Sequence, residues 1–155
     1  MAKETGIVTR PKKSIGDVAV DGLLAGMAAG VVMGIALLAV GVIEGVGPVE
    51  ILGRFDPAEG GSAAVGGLLH LAVSGIYGVA FAILFRLLTG RWSGLKRYGS
   101  GLGIVYGLAL WMAAHFLLLP ELNSALTEIS AAGFALSHLM YGAALGHFVG
   151  RHDQN

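Results

Sequence analysis

The stretch Gly103–Pro120, GIVYGLALWMAAHFLLLP, carries the features that decide the fold. Its length approaches the ~20 residues that an α-helix needs to cross about 30 Å of hydrocarbon. It contains one ionisable residue, His115, and ends at Pro120. Only helices and closed barrels satisfy their backbone hydrogen bonds inside lipid, and this stretch lacks the period-two alternation of a barrel strand. We therefore expect a transmembrane helix here.

Similar apolar stretches recur in three other parts of the chain. The four predicted spans cover about residues 18–43, 63–88, 100–119 and 131–149. The first span is longer than the apolar core of a signal peptide, so we expect it to be retained. Around the spans we predict a basic tail at residues 1–16, a transmembrane domain at 17–150 and a short C-terminal segment at 151–155. The predicted fold is all-α, a polytopic membrane protein with a glycine-rich, close-packed bundle of four transmembrane helices.

The composition agrees with this class. Of the 155 residues, 55% are hydrophobic and 13% are charged, whereas soluble domains carry about 25% charged residues. The net charge is zero, and the basic residues are not spread as a nucleic-acid-binding face requires, so we expect no nucleic acid partner. The absence of cysteine excludes thiolate metal sites, Fe–S clusters and covalent c-type haem. No catalytic motif stands out, and we do not expect an enzyme.

The basic residues predict the orientation in the membrane. Nine of the ten fall on one side of the predicted spans: Lys3, Arg10, Lys12, Lys13, Arg86, Arg91, Lys96, Arg97 and Arg151. Arg54 lies on the other side. The acidic residues of that side are Glu44, Glu50, Asp56, Glu59, Glu121 and Glu128. The positive-inside rule then predicts that both termini lie in the cytoplasm. We also expect Arg91, Lys96 and Arg97 to attract anionic lipid.

Glycines recur at four-residue spacing, which puts them on one face of a helix. The candidate helix-packing residues are Gly22, Gly26, Gly30, Gly34, Gly103, Gly107, Gly142 and Gly146. Such faces let two backbones approach closely in lipid. Two interpretations stay open: a tight internal bundle, or a face, most naturally that of the first helix, that docks another membrane subunit or a second copy of the chain.

Three histidines form the candidate site. His70, His115 and His138 come from three different helices, and at 1.5 Å per residue each falls roughly 5–10 Å outward of the membrane midplane. Intramembrane ionisable residues usually face the bundle interior. Burial favours neutral imidazole, the form that ligates metals. The aromatic residues expected beside them are Tyr77, Trp111 and Tyr141.

Several functions fit these histidines. Each could form a hydrogen bond across helices and simply fix the packing. Two could hold b-type haem, one from each of two helices. Three, with Glu121 as an outer carboxylate, could hold zinc or copper. A quinone headgroup or a proton pathway is the remaining alternative.

Three smaller features complete the predictions. Asp21 is expected at the start of the first helix, where a carboxylate is favourable, with Arg86, Arg151 or His147 as partners across the bundle. Val49–Phe55 is expected to lie on the outer surface as a short turn of helix. Glu121–Ser130 is a second candidate surface helix.

From the second span onward the chain resembles a group of small bacterial four-helix membrane proteins, the YqhR and YagU type. The resemblance rests on Gly67 through Phe85, Tyr106-Gly107, Trp111, Pro120, His138, Tyr141-Gly142 and Gly146. It implies four helices with cytoplasmic ends, and it brings no activity, ligand or catalytic residue.

The sequence thus favours an accessory or structural subunit that packs within a larger bacterial membrane complex, with a respiratory or photosynthetic complex as the expected setting. The first alternative is a haem- or metal-binding electron-transfer protein that uses His70, His115 and His138. The second alternative is a small transporter or channel, which the lack of a polar path through the inner half disfavours.

Overall fold

The computed structural model describes residues 13–58, 60–122 and 125–152, and within these residues every regular element is helical. The α-helices are α1 (Ile15–Ile43), α2 (Pro48–Gly53), α3 (Ala63–Arg91), α4 (Gly99–Ala113), α5 (Leu119–Leu122) and α6 (Ala131–His152). A π-helical turn, Ala114–Leu118, joins α4 to α5, and 3-10 turns cover Ser93–Tyr98 and Ala125–Glu128. The all-helical prediction is confirmed. Residues 1–12, which make up most of the predicted basic tail, lie outside the described residues. Glu59 and residues 153–155 also lie outside them.

Three segments of the described chain are long and apolar enough to cross a membrane. They are Ile15–Ile43, Ala63–Arg91 and Ser93–Glu121. The predicted fourth span corresponds to α6, which has 22 residues but does not meet the same hydropathy criterion. Its two histidines in the apolar stretch, with Ser137 and several glycines, account for the lower hydropathy. The described chain therefore has three helical segments with the length and hydropathy that a membrane span requires, and the fourth span stays a prediction.

Helix α1 begins at a capping box. The Ser14 hydroxyl accepts a hydrogen bond from the Asp17 amide at 3.1 Å, and the Asp17 carboxylate accepts from the Ser14 amide at 2.8 Å. Arg86, near the end of α3, donates to the backbone carbonyls of Ser14 and Lys13 at 3.1 and 2.7 Å. Asp21 therefore lies inside the helix rather than at its start, and its ion pair at 2.9 Å is with Lys13.

The glycine faces of α1 and α3 pack against each other. A methyl group at Gly26 would lie 2.8 Å from the Cα of Gly78, and one at Gly22 would lie 2.7 Å from the Cβ of Ala82. Gly30 faces Ser74, and Gly34 faces the imidazole of His70. Of the two interpretations of this face, the structure has the internal one, since α3 already covers Gly22, Gly26 and Gly30.

A second glycine contact joins α4 to α6. A methyl group added at Gly103 would overlap the carbonyl oxygen of Gly142, and one added at Gly142 would overlap the carbonyl oxygen of Gly103. Gly107 and Gly146 extend this contact on either side, with a methyl group at Gly107 placed 3.1 Å from the Cα of Gly142. Because the side-chain volume is absent, the two backbones approach closely and gain dispersion energy over this length.

The α1–α3 pair and the α4–α6 pair pack against each other mainly through contacts between α1 and α6. Tyrosines add two hydrogen bonds to α3: Tyr141 donates to the carbonyl of Ser74 at 2.7 Å, and Tyr106 donates to the carbonyl of Tyr77 at 3.0 Å. Direct packing between α3 and α4 is weak. The bundle is therefore tight along α1 and α6 and loose between α3 and α4.

The neighbouring helices run antiparallel, which gives the bundle two chemically different ends. One, the basic end, contains the start of α1, the end of α3 and the 3-10 turn with Lys96 and Arg97. The other, the acidic end, contains α2 and the segment that links α5 to α6. There Arg54 bridges Glu50 at 3.0 Å and Glu128 at 3.2 Å. This double ion pair connects the two segments that cover the acidic end.

The predicted surface elements at the acidic end are both found as short helical pieces. Val49–Phe55 overlaps α2, whose Ile51 is buried against Gly41 of α1. The second candidate, Glu121–Ser130, contains the 3-10 turn Ala125–Glu128 and no longer helix among its described residues. Both pieces cover the acidic end of the bundle, which is the end nearer to the candidate histidines His70 and His138.

Candidate functional site

A cavity of about 230 Å³ lies between α1, α3, α4 and α6 in the half of the bundle nearer the acidic end. Its polar lining residues are His70, Ser74, Tyr77, His138 and Tyr141. Apolar residues of the helices and of the two covering segments form the rest of the wall, among them Met33, Phe55, Leu110, Ala114, Leu119, Leu126 and Phe134. The glycine contacts occupy the basic half, so the bundle widens where the bulky side chains begin.

His70 enters the cavity wall from α3. Its Nε2 lies 2.9 Å from the carbonyl oxygen of Gly30 in α1. A carbonyl can only accept, so Nε2 carries the hydrogen and Nδ1 of the neutral ring has a free lone pair. The ring of Phe55 meets the imidazole edge to face, with centroids 4.8 Å apart. His70 therefore ties α3 to α1 and keeps one nitrogen available as an acceptor.

His138 has the opposite tautomer. Its Nδ1 lies 2.9 Å from the carbonyl oxygen of Phe134, one turn earlier in α6, so Nδ1 donates and Nε2 has the free lone pair. The Phe134 ring packs edge to face against the imidazole at 4.5 Å. Within the described part of the chain, no group donates a hydrogen bond to this nitrogen or to Nδ1 of His70. The cavity wall thus presents two imidazole acceptors.

The aromatic residues predicted near the histidines divide into two groups. Tyr77 and Tyr141 line the cavity, and the Tyr141 hydroxyl uses its hydrogen on the Ser74 carbonyl. Trp111 does not line the cavity; it packs against the core from the neighbouring face of α4, and its buried indole Nε1 has no hydrogen-bond partner among the described residues. The predicted polar cluster is therefore smaller than the sequence suggests.

His115 is not part of the cavity wall, contrary to the three-histidine arrangement. It stacks on Trp111, with ring centroids 5.6 Å apart and an interplanar angle of 14°. Leu110 and Ala114 of the same helix face the cavity. His115 follows Ala114 directly and so points roughly 100° away from it. Depth in the membrane was predicted from residue counts, but the direction of a side chain around the helix is set by packing.

The geometry does not favour a three-ligand metal site. In the described residues no group of three His, Asp or Glu side chains is arranged to hold a metal ion. Glu121, the carboxylate proposed to complete such a site, does not line the cavity and is exposed. The site brings together two of the three predicted histidines and adds residues that sequence reasoning missed. Phe55 and Leu126 belong to the two segments that cover the acidic end, and no periodic signal marks them.

The cavity opens toward the side of the bundle. Leu69 and Val73 of α3 line it, yet 38% and 46% of their surface stays exposed. They lie next to the loose contact between α3 and α4. In a membrane this side faces the lipid, so a lipid-soluble molecule could reach the cavity without passing through either end of the bundle.

A family model matches most of the chain. The family model described as a family of unknown function (DUF6789) covers residues 16–155. No curated protein and no solved structure matches the chain.

Proposed function

Because the chain belongs to the DUF6789 family, whose function is unknown, we propose its function from the cavity itself. The protein binds one small, lipid-soluble molecule between α1, α3, α4 and α6. The observation that carries this proposal is a mostly apolar cavity that combines two imidazole acceptors with an opening on the lipid-facing side. Few, well-placed polar groups in an apolar pocket are typical of small-molecule sites.

The volume limits the size of the ligand. An engineered cavity of about 150 Å³ can hold benzene, so about 230 Å³ is room for one substituted ring. Haem is a four-ring macrocycle and does not fit without separating the helices. A single-ring headgroup, such as that of a quinone or quinol, fits better than haem or a metal ion held by three ligands.

We further propose the topology in which this site works. The protein sits in the bacterial cytoplasmic membrane with four transmembrane helices, α6 being the fourth, and with both termini in the cytoplasm. Support comes from α6, which at ~1.5 Å per residue is long enough to cross the hydrocarbon and packs along α1 and α4. The basic end then faces the cytoplasm, where Arg91, Lys96 and Arg97 meet anionic lipid. The YqhR and YagU resemblance stays a prediction.

A cavity-filling substitution tests the binding function. Ala114→Phe places a ring in the cavity, whereas Ala109→Phe adds the same ring to the exposed face of α4. Wild type and Ala109→Phe, purified in mild detergent, should retain a small molecule that solvent extraction and mass spectrometry detect in proportion to protein. Ala114→Phe should lose it. If no molecule follows the protein in this stoichiometric way, and added ring compounds do not bind either, the binding function is wrong. A Soret band in the purified protein would favour haem instead.

The accessory-subunit role remains the second candidate, and α4 favours it. Only 17% of the most apolar stretch of Ser93–Glu121, the segment that contains α4, is buried, against 39% in α1 and in α3. A helix with so little protein around it has a broad face for lipid or for another subunit. Photo-crosslinkers at Val105 and Met112, both exposed on this face, should capture a defined protein partner in membranes if this role is right. Crosslinks to lipid alone would count against it.

A further inference from the structure

We propose that the cavity selects a ligand that donates a hydrogen bond: a hydroxylated aromatic ring, of the phenol or hydroquinone class, with an apolar tail. This inference rests on the proposed binding function and names its ligand class. It comes from the hydrogen bonds that the polar groups of the cavity already make.

The polar groups with defined geometry have all used their hydrogens on backbone carbonyls. His70 donates through Nε2 to Gly30, His138 through Nδ1 to Phe134, and Tyr141 through its hydroxyl to Ser74. What each of them has left is a lone pair. A ligand hydroxyl satisfies such an acceptor, whereas a ketone or ether oxygen would bring a lone pair against a lone pair.

Backbone geometry holds these tautomers in place. The Gly30 carbonyl belongs to α1 at the glycine contact, and the Phe134 carbonyl lies one turn below His138 in the same helix. Neither carbonyl can become a donor, so rotating either ring to present an N–H to the ligand would break an existing bond. The hydroxyls of Ser74 and Tyr77 can rotate to donate or accept, and they do not discriminate.

The shape of the cavity indicates the size of the ligand's ring and the position of its apolar tail. Its volume suits one ring. The opening beside Leu69 and Val73 faces lipid, so a chain attached to the ring would extend into the bilayer. The ring would lie beside Phe55 and Phe134, which line the cavity and pack against the two imidazoles.

A matched pair of probes tests this selectivity. Para-hexylphenol and its methyl ether share ring and tail and differ by the donated hydrogen. We expect the phenol to bind wild-type protein in nanodiscs of phosphatidylethanolamine and phosphatidylglycerol about tenfold more tightly, after correction for partitioning into lipid. His138→Leu should weaken this preference because it removes one of the two acceptors, and the double variant His138→Leu/His70→Leu should abolish it. His147→Leu, which changes an exposed histidine of the same helix, should keep it.

A measurement on the unaltered protein guards against a misfolded variant. In ligand-free protein labelled with ¹⁵N at histidine, the Nε2 signal of His138 should be that of an unprotonated nitrogen. This signal should shift when the phenol is added and should not shift when the ether is added. Equal affinity for both probes would overturn the donor selectivity and leave the binding function standing. Failure of both probes to bind would overturn both proposals.

Discussion

At the scale of single residues, Gly142 and Gly103 show how closely α4 and α6 lie. A methyl group added at Gly142 would lie 2.8 Å from the carbonyl carbon of Gly103. The neighbour is backbone, which cannot rotate away as a flexible side chain can. The helices would have to separate, and overpacking of this kind typically costs about 1–3 kcal/mol.

We therefore predict that Gly142→Ala destabilises the bundle by roughly 1–3 kcal/mol. The control is Gly67→Ala in α3, because no atom lies within 4 Å of the added methyl group there and alanine is the better helix former. Unfolding of each variant in mixed micelles, followed by circular dichroism, measures the difference. A Gly142→Ala protein as stable as Gly67→Ala would contradict the close contact.

Asp56 makes a second prediction at this scale. It lies in the loop between α2 and α3, where its carboxylate accepts hydrogen bonds from the amides of Ser62 at 2.8 Å and Ala58 at 3.0 Å. These bonds favour the charged form and lower its pKa below the ordinary 3.8. Stabilisation of the loop is thus complete above about pH 4 and is lost as the pH falls through the lowered pKa.

The carboxyl ¹³C signal of Asp56 should accordingly titrate with a midpoint below 3.8. Ser62→Pro removes one of the two donors and should move the midpoint back toward 3.8. An unchanged midpoint in that variant would show that the Ser62 amide does not hold the carboxylate.

At the scale of elements, the π-turn decides which residues of the third apolar segment reach the cavity. The Leu119 amide donates to the Ala114 carbonyl, five residues earlier, instead of the usual four. The extra residue keeps Leu119 on the same face as Ala114. Leu119 is 5% exposed and Leu118 is 48% exposed, as this register requires.

We predict that deleting Leu117, an exposed residue of the π-turn, is tolerated, because the turn becomes ordinary α-helix and the leucine after it stays on the buried face. Deleting Val105, equally exposed but in regular helix, should be disruptive. It rotates Gly103 by roughly 100° relative to Gly107 and breaks the face that packs on α6. The yield of monodisperse protein on size-exclusion chromatography compares the two. Equal yields would contradict the role of the π-turn.

At the scale of the whole molecule, antiparallel packing gathers the basic residues at one end and the acidic loops at the other. Arg97 lies 4.7 Å from the centroid of the Tyr98 ring, and Arg91 lies 5.8 Å from that of Trp92. Aromatic and basic residues together are typical of a membrane interface. The opposite end is held by Arg54 between Glu50 and Glu128.

The proposed orientation predicts a labelling pattern that is simple to read, because the chain has no cysteine of its own. Ala58→Cys at the acidic end should react with a membrane-impermeant maleimide in intact spheroplasts. Gly94→Cys at the basic end should react only after permeabilisation. Both residues are exposed, so burial does not confound the result. The reverse pattern would invert the topology.

The sequence by itself determined the helical class, the apolar spans, the division into a basic and an acidic end, and the positions at which helices could approach closely. These are local properties: hydropathy and four-residue spacing are set by neighbours along one helix. Gly22, Gly26 and Gly30 show the limit of such local properties. Their spacing predicts a close contact with another helix but does not identify that helix.

Only the tertiary structure decided which histidines meet. His70 and His138 line one cavity because α6 packs on α1 beside α3, whereas His115 points to another face of its helix. The π-turn and the placement of Phe55 depend on contacts between segments far apart in the chain. Side-chain direction around a helix follows from many weak contacts of this kind, and no local pattern encodes their sum.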